Sequence, residues 1–195
     1  SIQRNKEEHK MTEEQYKSLI KDAILELSQL FKVNPHFFLT EEDVRCMLFQ
    51  LLVARLKFVR SNDGSLSSFV HAEVRWYGKE QNMHKRSDIV VLDTTDLRVT
   101  AEGFPLPSKG YGFNNFYAAI EIKLRRVGGE SDSVWLGKLK KDVDTLLSLR
   151  REVVNAYDPL LFLIAFDRKA NIAEKVRQMN FGVNVVYQNI IVLSK

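Results

Sequence analysis

The stretch FYAAIEIKL, residues 116–124, constrains this chain more than any other. It is rich in β-formers and apolar enough for a buried strand, yet a glutamate and a lysine interrupt it. Side chains alternate between the two faces of a strand. Glu121 and Lys123 therefore point one way, and Ile120, Ile122 and Leu124 the other. Burying either charge without a partner is costly or shifts its pKa. A metal, a partner charge or a solvent-filled cleft must stand beside the pair.

The rest of the chain supplies a frame for that strand. Residues 1–10 read as a solvated lead-in. Thr12 with Gln15 forms a capping-box pattern, followed by the stripe Ile20, Ala23, Ile24, Leu27, Leu30 and Phe31 at helical spacing. Asn34-Pro35 ends that helix. Thr40 opens a second one, with Glu41, Glu42 and Asp43 in its first turn and Val44, Met47, Leu48, Leu51, Leu52 and Leu56 as its apolar stripe. Cys46 falls within this pattern and reads as core packing. Residues 61–68 read as a loop.

The period then changes. FVHAEVRWY (69–77) alternates, and SDIVVLDTT (87–95) is a short apolar run bounded by polar residues. A Gly/Pro-rich stretch, 103–112, reads as a long loop or hairpin excursion before strand 116–124. After Gly128-Gly129, the residues Leu136, Leu139, Val143, Leu146 and Leu147 mark one face of a helix. LLFLIAF (160–166) is a candidate buried strand, residues 170–180 a short helix, and VNVVYQ with IIVLS one or two closing strands. The order α, α, β, β, β, α, β, α, β predicts an α/β fold with a mixed central sheet and helices on both faces. No strong boundary divides the 195 residues, so a single domain over 1–195 is expected.

The single cysteine rules out an internal disulfide and leans towards a reducing, cytoplasmic setting. No run approaches the roughly 18 apolar residues of a membrane span, so no membrane partner is expected. The net charge of +4 suits a polyanionic partner without demanding one. The histidines have no metal-ligand spacing, and there is no P-loop and no G-x-G-x-x-G.

Asp88 opens the strand candidate that precedes Glu121 and Lys123. If the two strands pair, Asp88 and Glu121 converge on a hard-oxygen site suited to Mg²⁺ or Mn²⁺. Lys123 beside them could hold an attacking water or a phosphate oxygen. The elements Ser87-Asp88, 32 intervening residues, then Glu121-Ile122-Lys123 resemble the motif of the PD-(D/E)XK nucleases, the restriction-endonuclease-like superfamily. The resemblance covers about residues 40–166, with 1–39 as a helical extension and 167–195 as a C-terminal helix and strands. Serine stands where that motif has proline.

The resemblance implies an α-β-β-β-α-β core and a metal-dependent nuclease, with Asp88, Glu121 and Lys123 catalytic. Asp88 and Glu121 would bind metal. The family often adds an acid from the preceding helix, and Glu41 is the candidate, with Glu42 second. Helix-dipole charge explains both equally well. Glu73 is a possible further acid, its same-face neighbours being His71 and Arg75; an ion pair is the competing explanation.

Basic residues outnumber acidic ones from Lys123 to Arg151. Arg125, Arg126, Lys138 and Lys141, with Arg86 in the cluster Lys79, Lys85 and Arg86, are candidate phosphate contacts. Lys138 and Asp142, four apart, could instead pair with each other. Trp76, Tyr77, Tyr111 and Phe113 are candidate base-stacking residues or core anchors. The expected partner is nucleic acid, DNA foremost, and a homodimer would suit a duplex with two strands to cut. Two rivals remain: an inactive nucleic-acid-binding or regulatory module on the same fold, and a structural protein in which Glu121 and Lys123 form an internal ion pair.

Overall fold

The computed structural model of the chain describes residues 11–60, 66–76, 85–94, 114–153, 155–179 and 181–188, and the backbone of 190–192. The candidates Lys79, Tyr77, Tyr111 and Phe113, the lead-in 1–10 and the stretch 103–112 lie outside the described residues.

The first helix, α1 (Glu13–Val33), starts at Thr12, whose side chain and that of Gln15 form the expected reciprocal capping box, and ends at Asn34. Helix α2 (Glu41–Arg55) starts at Thr40, with Asp43 completing a second capping box. Two short strands, β1 (Val59–Arg60) and β2 (Leu66–Ser67), pair antiparallel. Part of the predicted loop 61–68 is thus a strand too short to show a period.

A six-stranded sheet follows, in spatial order β3 (Val70–Arg75), β4 (Arg86–Leu92), β5 (Phe116–Arg125), β6 (Leu160–Asp167), β7 (Asn184–Tyr187) and β8 (Ile190–Val192). The pairs β3–β4, β4–β5 and β7–β8 are antiparallel, and β5–β6 and β6–β7 are parallel. Helix α3 (Asp132–Glu152) crosses from β5 to β6, and α4 (Ala173–Gln178) from β6 to β7. The predicted mixed sheet, and the α-β-β-β-α-β order of its core, are both present.

Two cores sandwich the sheet. On one face α1 and α2 pack Ile20, Leu27, Val44 and Leu48 against Ile89, Ile120, Ile122 and Ile164. On the other, α3 and α4 pack Trp135, Leu139, Leu146 and Val176 against Val90, Ala119, Leu163 and Val185. β6, buried almost throughout, is the buried strand its apolar run suggested. Among the described residues no helix is long and apolar enough to cross a membrane.

Three local expectations are corrected. Cys46 is exposed on α2, on the side facing away from the stripe. Leu30 is also exposed. Alternation in β3 breaks at Glu73, whose φ of 59° is left-handed. Val70 therefore joins the α1/α2 core while Val74 and Trp76 join the α3/α4 core. The simple same-face grouping of Glu73 with His71 and Arg75 does not hold across that reversal.

Candidate active site

The β4–β5 ladder runs from Leu92↔Phe116 to Ile89↔Ile120 and stops there. Continued in register, it would set Asp88 opposite Glu121. Side-chain oxygens take the place of the missing backbone partners instead. Asp88 Oδ2 accepts from the Ile122 N–H at 2.8 Å. Glu41 Oε2, from the first turn of α2, accepts from the Leu124 N–H at 3.1 Å. The strands thus part where the acidic residues enter, and α2 is pinned to β5 by its own first residue.

The parting opens a polar cleft of about 260 Å³, lined by Glu41, Glu42, Arg45, Glu73, Arg86, Asp88, Ile122 and Lys123. Lys123 Nζ donates to the Ile122 carbonyl at 3.1 Å and lies 3.4 Å from Asp142 Oδ2 and 3.6 Å from Glu41 Oε1. Burial pulls the ammonium's pKa down, but Asp142, Glu41, Asp88 and Glu121 outweigh it and hold the pKa above the ordinary lysine value. The lysine is firmly cationic.

Glu121 sits behind the lining, only 6% exposed, and its Oε1 is buried without a hydrogen-bond partner among the described residues. Burial pushes its carboxyl well above the usual range, and the Asp88 and Asp142 charges push it further, against the pull of Lys123. No ion pair joins Glu121 to Lys123 among the described residues, so the internal-pair rival lacks its key contact. Asp142, on α3, is likewise raised, first by burial and only partly offset by Lys123.

The acidic side of the cleft is held by arginines. Arg45 Nη1 bonds Glu73 Oε1 and reaches Asp88 Oδ1 at 3.4 Å, while its Nη2 bonds Glu42. Arg86 Nη1 bonds Glu73 Oε2 at 2.7 Å. Among the described residues no three histidine, cysteine or acidic side chains stand together as a ready-made metal shell. The donor chemistry nevertheless fits a hard divalent cation: carboxylate oxygens on Asp88, Glu121 and Glu41, one of them an orphaned buried atom.

The cleft gathers Asp88, Lys123, Glu41, Glu73 and Arg86, with Glu121 behind them. It does not gather Arg125. That side chain is wholly buried, its guanidinium taken up by Asp167, Asp132 at 2.7 Å and Asn171 at 2.8 Å, so it is not available to a phosphate. Trp76 is a core residue, 0% exposed, donating to Ser87 Oγ at 2.9 Å, and not a stacking platform. Lys138 pairs with Glu130 at 2.6 Å rather than with Asp142. Arg126 and Lys141 are exposed.

One site residue, Arg45, escaped sequence reasoning, and a second, Asp142, entered it only as an exposed partner for Lys138. Arg45 lies four residues after Glu41 and three after Glu42, so it shares their helix face. Asp142 lies three residues after Leu139 and four before Leu146, on the buried side of α3. In both cases an ionisable residue at core-facing spacing was the available signal.

No protein-family model matches the sequence, and no curated protein does. Among solved structures it resembles NucC of P. aeruginosa ATCC27853 in a cAAA-bound form, with a TM-score of 0.38 and 15% identity over 81% of this chain. It also resembles NucC of E. coli MS115-1, again cAAA-bound, with a TM-score of 0.35 and 16% identity over 81% of this chain. The chain spans 64% of the length of each neighbour. Likeness at this level transfers no residue roles.

Proposed function

We propose that the chain is a divalent-metal-dependent phosphodiesterase that hydrolyses nucleic acid, DNA foremost. The observation that carries this reading is Glu121: a nine-tenths-buried carboxyl with an orphaned oxygen, beside Asp88 and Lys123, where two strands part. Such a group is costly to keep unless it receives a partner. Asp88 and Glu121 would hold Mg²⁺ or Mn²⁺, with Glu41 as a third acid. When bound, the metal supplies an acidified water and neutralises charge building on the phosphate. Lys123 orients that water or a phosphate oxygen, fixed in place by Asp142 and Glu41. The PD-(D/E)XK resemblance implies attack of water on phosphorus with departure of the 3′ oxygen, leaving a 5′-phosphate and a 3′-hydroxyl. Arg126, Lys138 and Lys141 are candidate backbone contacts.

The test is cleavage of supercoiled plasmid and of single-stranded DNA with Mn²⁺ or Mg²⁺, comparing wild type with Lys123→Ala. Wild type should cut and the variant should not. Equal inertness across metals and substrates would leave the non-hydrolysing binding module as the better reading. The contact of Arg45 with Asp88 is the observation that favours that alternative.

A further inference from the structure

The cleft already contains a cation. The Arg45 side chain is four-fifths buried, and its guanidinium bridges acids from three elements: Glu42 on α2, Glu73 on β3 and Asp88 on β4. We infer that Arg45 is the residue that sets how tightly the Asp88 site accepts a metal ion. This rests on the metal-site reading above.

The three contacts of the bridge are unequal. Asp88 Oδ2 is committed to the Ile122 N–H at 2.8 Å, so Oδ1 is the oxygen left to face the cleft. Arg45 covers that oxygen, but at 3.4 Å this is the loosest of its contacts. Glu42, the most exposed of the three acids, is bonded by the other guanidinium nitrogen and offers Arg45 an anchor on the solvent side. Glu73 keeps Arg86 at 2.7 Å if Arg45 withdraws. Arg45 can therefore leave Asp88 without stranding any of its partners. The left-handed backbone at Glu73 places that carboxylate in the bridge, at a φ that non-glycine residues rarely adopt.

A resident single charge competes with any incoming cation for Asp88. An incoming divalent ion must push Arg45 towards Glu42 to reach Asp88 Oδ1. Arg45 thereby weakens the binding of divalent ions at this site. Positive charge so near a metal disfavours it even at high effective dielectric, and removing it is expected to tighten binding by about tenfold or more.

The experiment is calorimetric titration of Mn²⁺ into the metal-free full chain, for wild type, Arg45→Gln and Arg45→Lys. Arg45→Gln should bind Mn²⁺ about tenfold or more tightly, while Arg45→Lys should stay near wild type. Unchanged or weaker binding by a folded Arg45→Gln would overturn the inference and make Arg45 a plain structural tie, leaving the metal site intact. If the glutamine variant does not fold, Mg²⁺ is titrated into wild type and Asp88→Asn, with the Arg45 guanidinium Nε–H resonance followed by NMR. That signal should move in wild type and stay fixed in the variant; no movement in wild type would overturn the inference. Tightened Mn²⁺ binding without DNA cleavage would sustain the inference while removing the nuclease reading. Absence of binding in both wild type and Arg45→Gln would overturn the site and the inference together.

Discussion

Strand β5 carries two charged clusters four residues apart, and they are built in opposite ways. Around Arg125 every charge is met. Its Nε donates to Asp167 at 2.8 Å, its Nη1 to Asp132 at 2.7 Å and its Nη2 to Asp167 and Asn171, while Tyr187 bonds the same Asp167 carboxylate. Around Glu121 an oxygen is orphaned, two carboxyls are pushed up, and one lysine is shared between Asp142 and Glu41. Both clusters bury charge on one strand. A closed network fixes structure; an unsatisfied one is a place where a ligand can gain.

The largest expected effect lies at the open cluster. Lys123→Ala should lower metal-dependent cleavage on the order of 100-fold or more, read by plasmid nicking, with only a modest loss of stability by calorimetry as Asp142 and Glu41 lose their shared cation. Arg125→Met should do the reverse. It leaves Asp167 buried and unpaired, so unfolding free energy should fall by about 3–5 kcal/mol in denaturant titration. If Arg125→Met instead spared stability and abolished cleavage, the contrast would be inverted.

The two clusters should also respond to pH with opposite sign. Burial raises the Asp167 carboxyl, but hydrogen bonds from Arg125, Tyr187 and the Lys169 N–H outweigh it and hold the pKa below the usual value. Its stabilisation is full above the ordinary aspartate pKa, about 3.9, and is lost as pH falls through the lowered folded value. Asp167→Asn should flatten that acid limb. Glu121 is raised, so it contributes stability at low pH that is lost as pH rises through its folded pKa. Glu121→Gln should remove that loss and add about 0.5–2 kcal/mol near neutral pH, at the expense of metal binding. Stability measured from acid to neutral pH checks both slopes.

The smallest effect concerns the surface. Lys138→Ala removes an exposed pair with Glu130 and should shift stability within about 0.5 kcal/mol. If Lys138 touches phosphate, the slope of log affinity against log salt should shrink by about one.

Much of this arrangement was legible in the sequence, for definable reasons. Caps at Thr12 and Thr40 are local hydrogen bonds, so three or four residues announce them. The buried strands β5 and β6 announce themselves by continuous apolar runs, and the charges in β5 by breaking one. Arg125 misled because a basic residue after a charged motif looks solvent-facing, whereas its partners Asp167 and Asn171 lie more than forty residues on. Trp76 misled because its hydrogen-bond partner, Ser87, belongs to the neighbouring strand. The reversal at Glu73 is a backbone dihedral on a residue type that gives no warning of it. Arg45 acquired its importance only when β3 and β4 brought Glu73 and Asp88 to it.

Mn²⁺ binding followed by calorimetry, in wild type, Asp88→Asn and Asp167→Asn, tests the contrast between the clusters most directly. Wild type and Asp167→Asn should each bind the ion, and Asp88→Asn should lose that binding. Wild-type affinity in Asp88→Asn, or its loss in a folded Asp167→Asn, would contradict the assignment of the open cluster as the metal site.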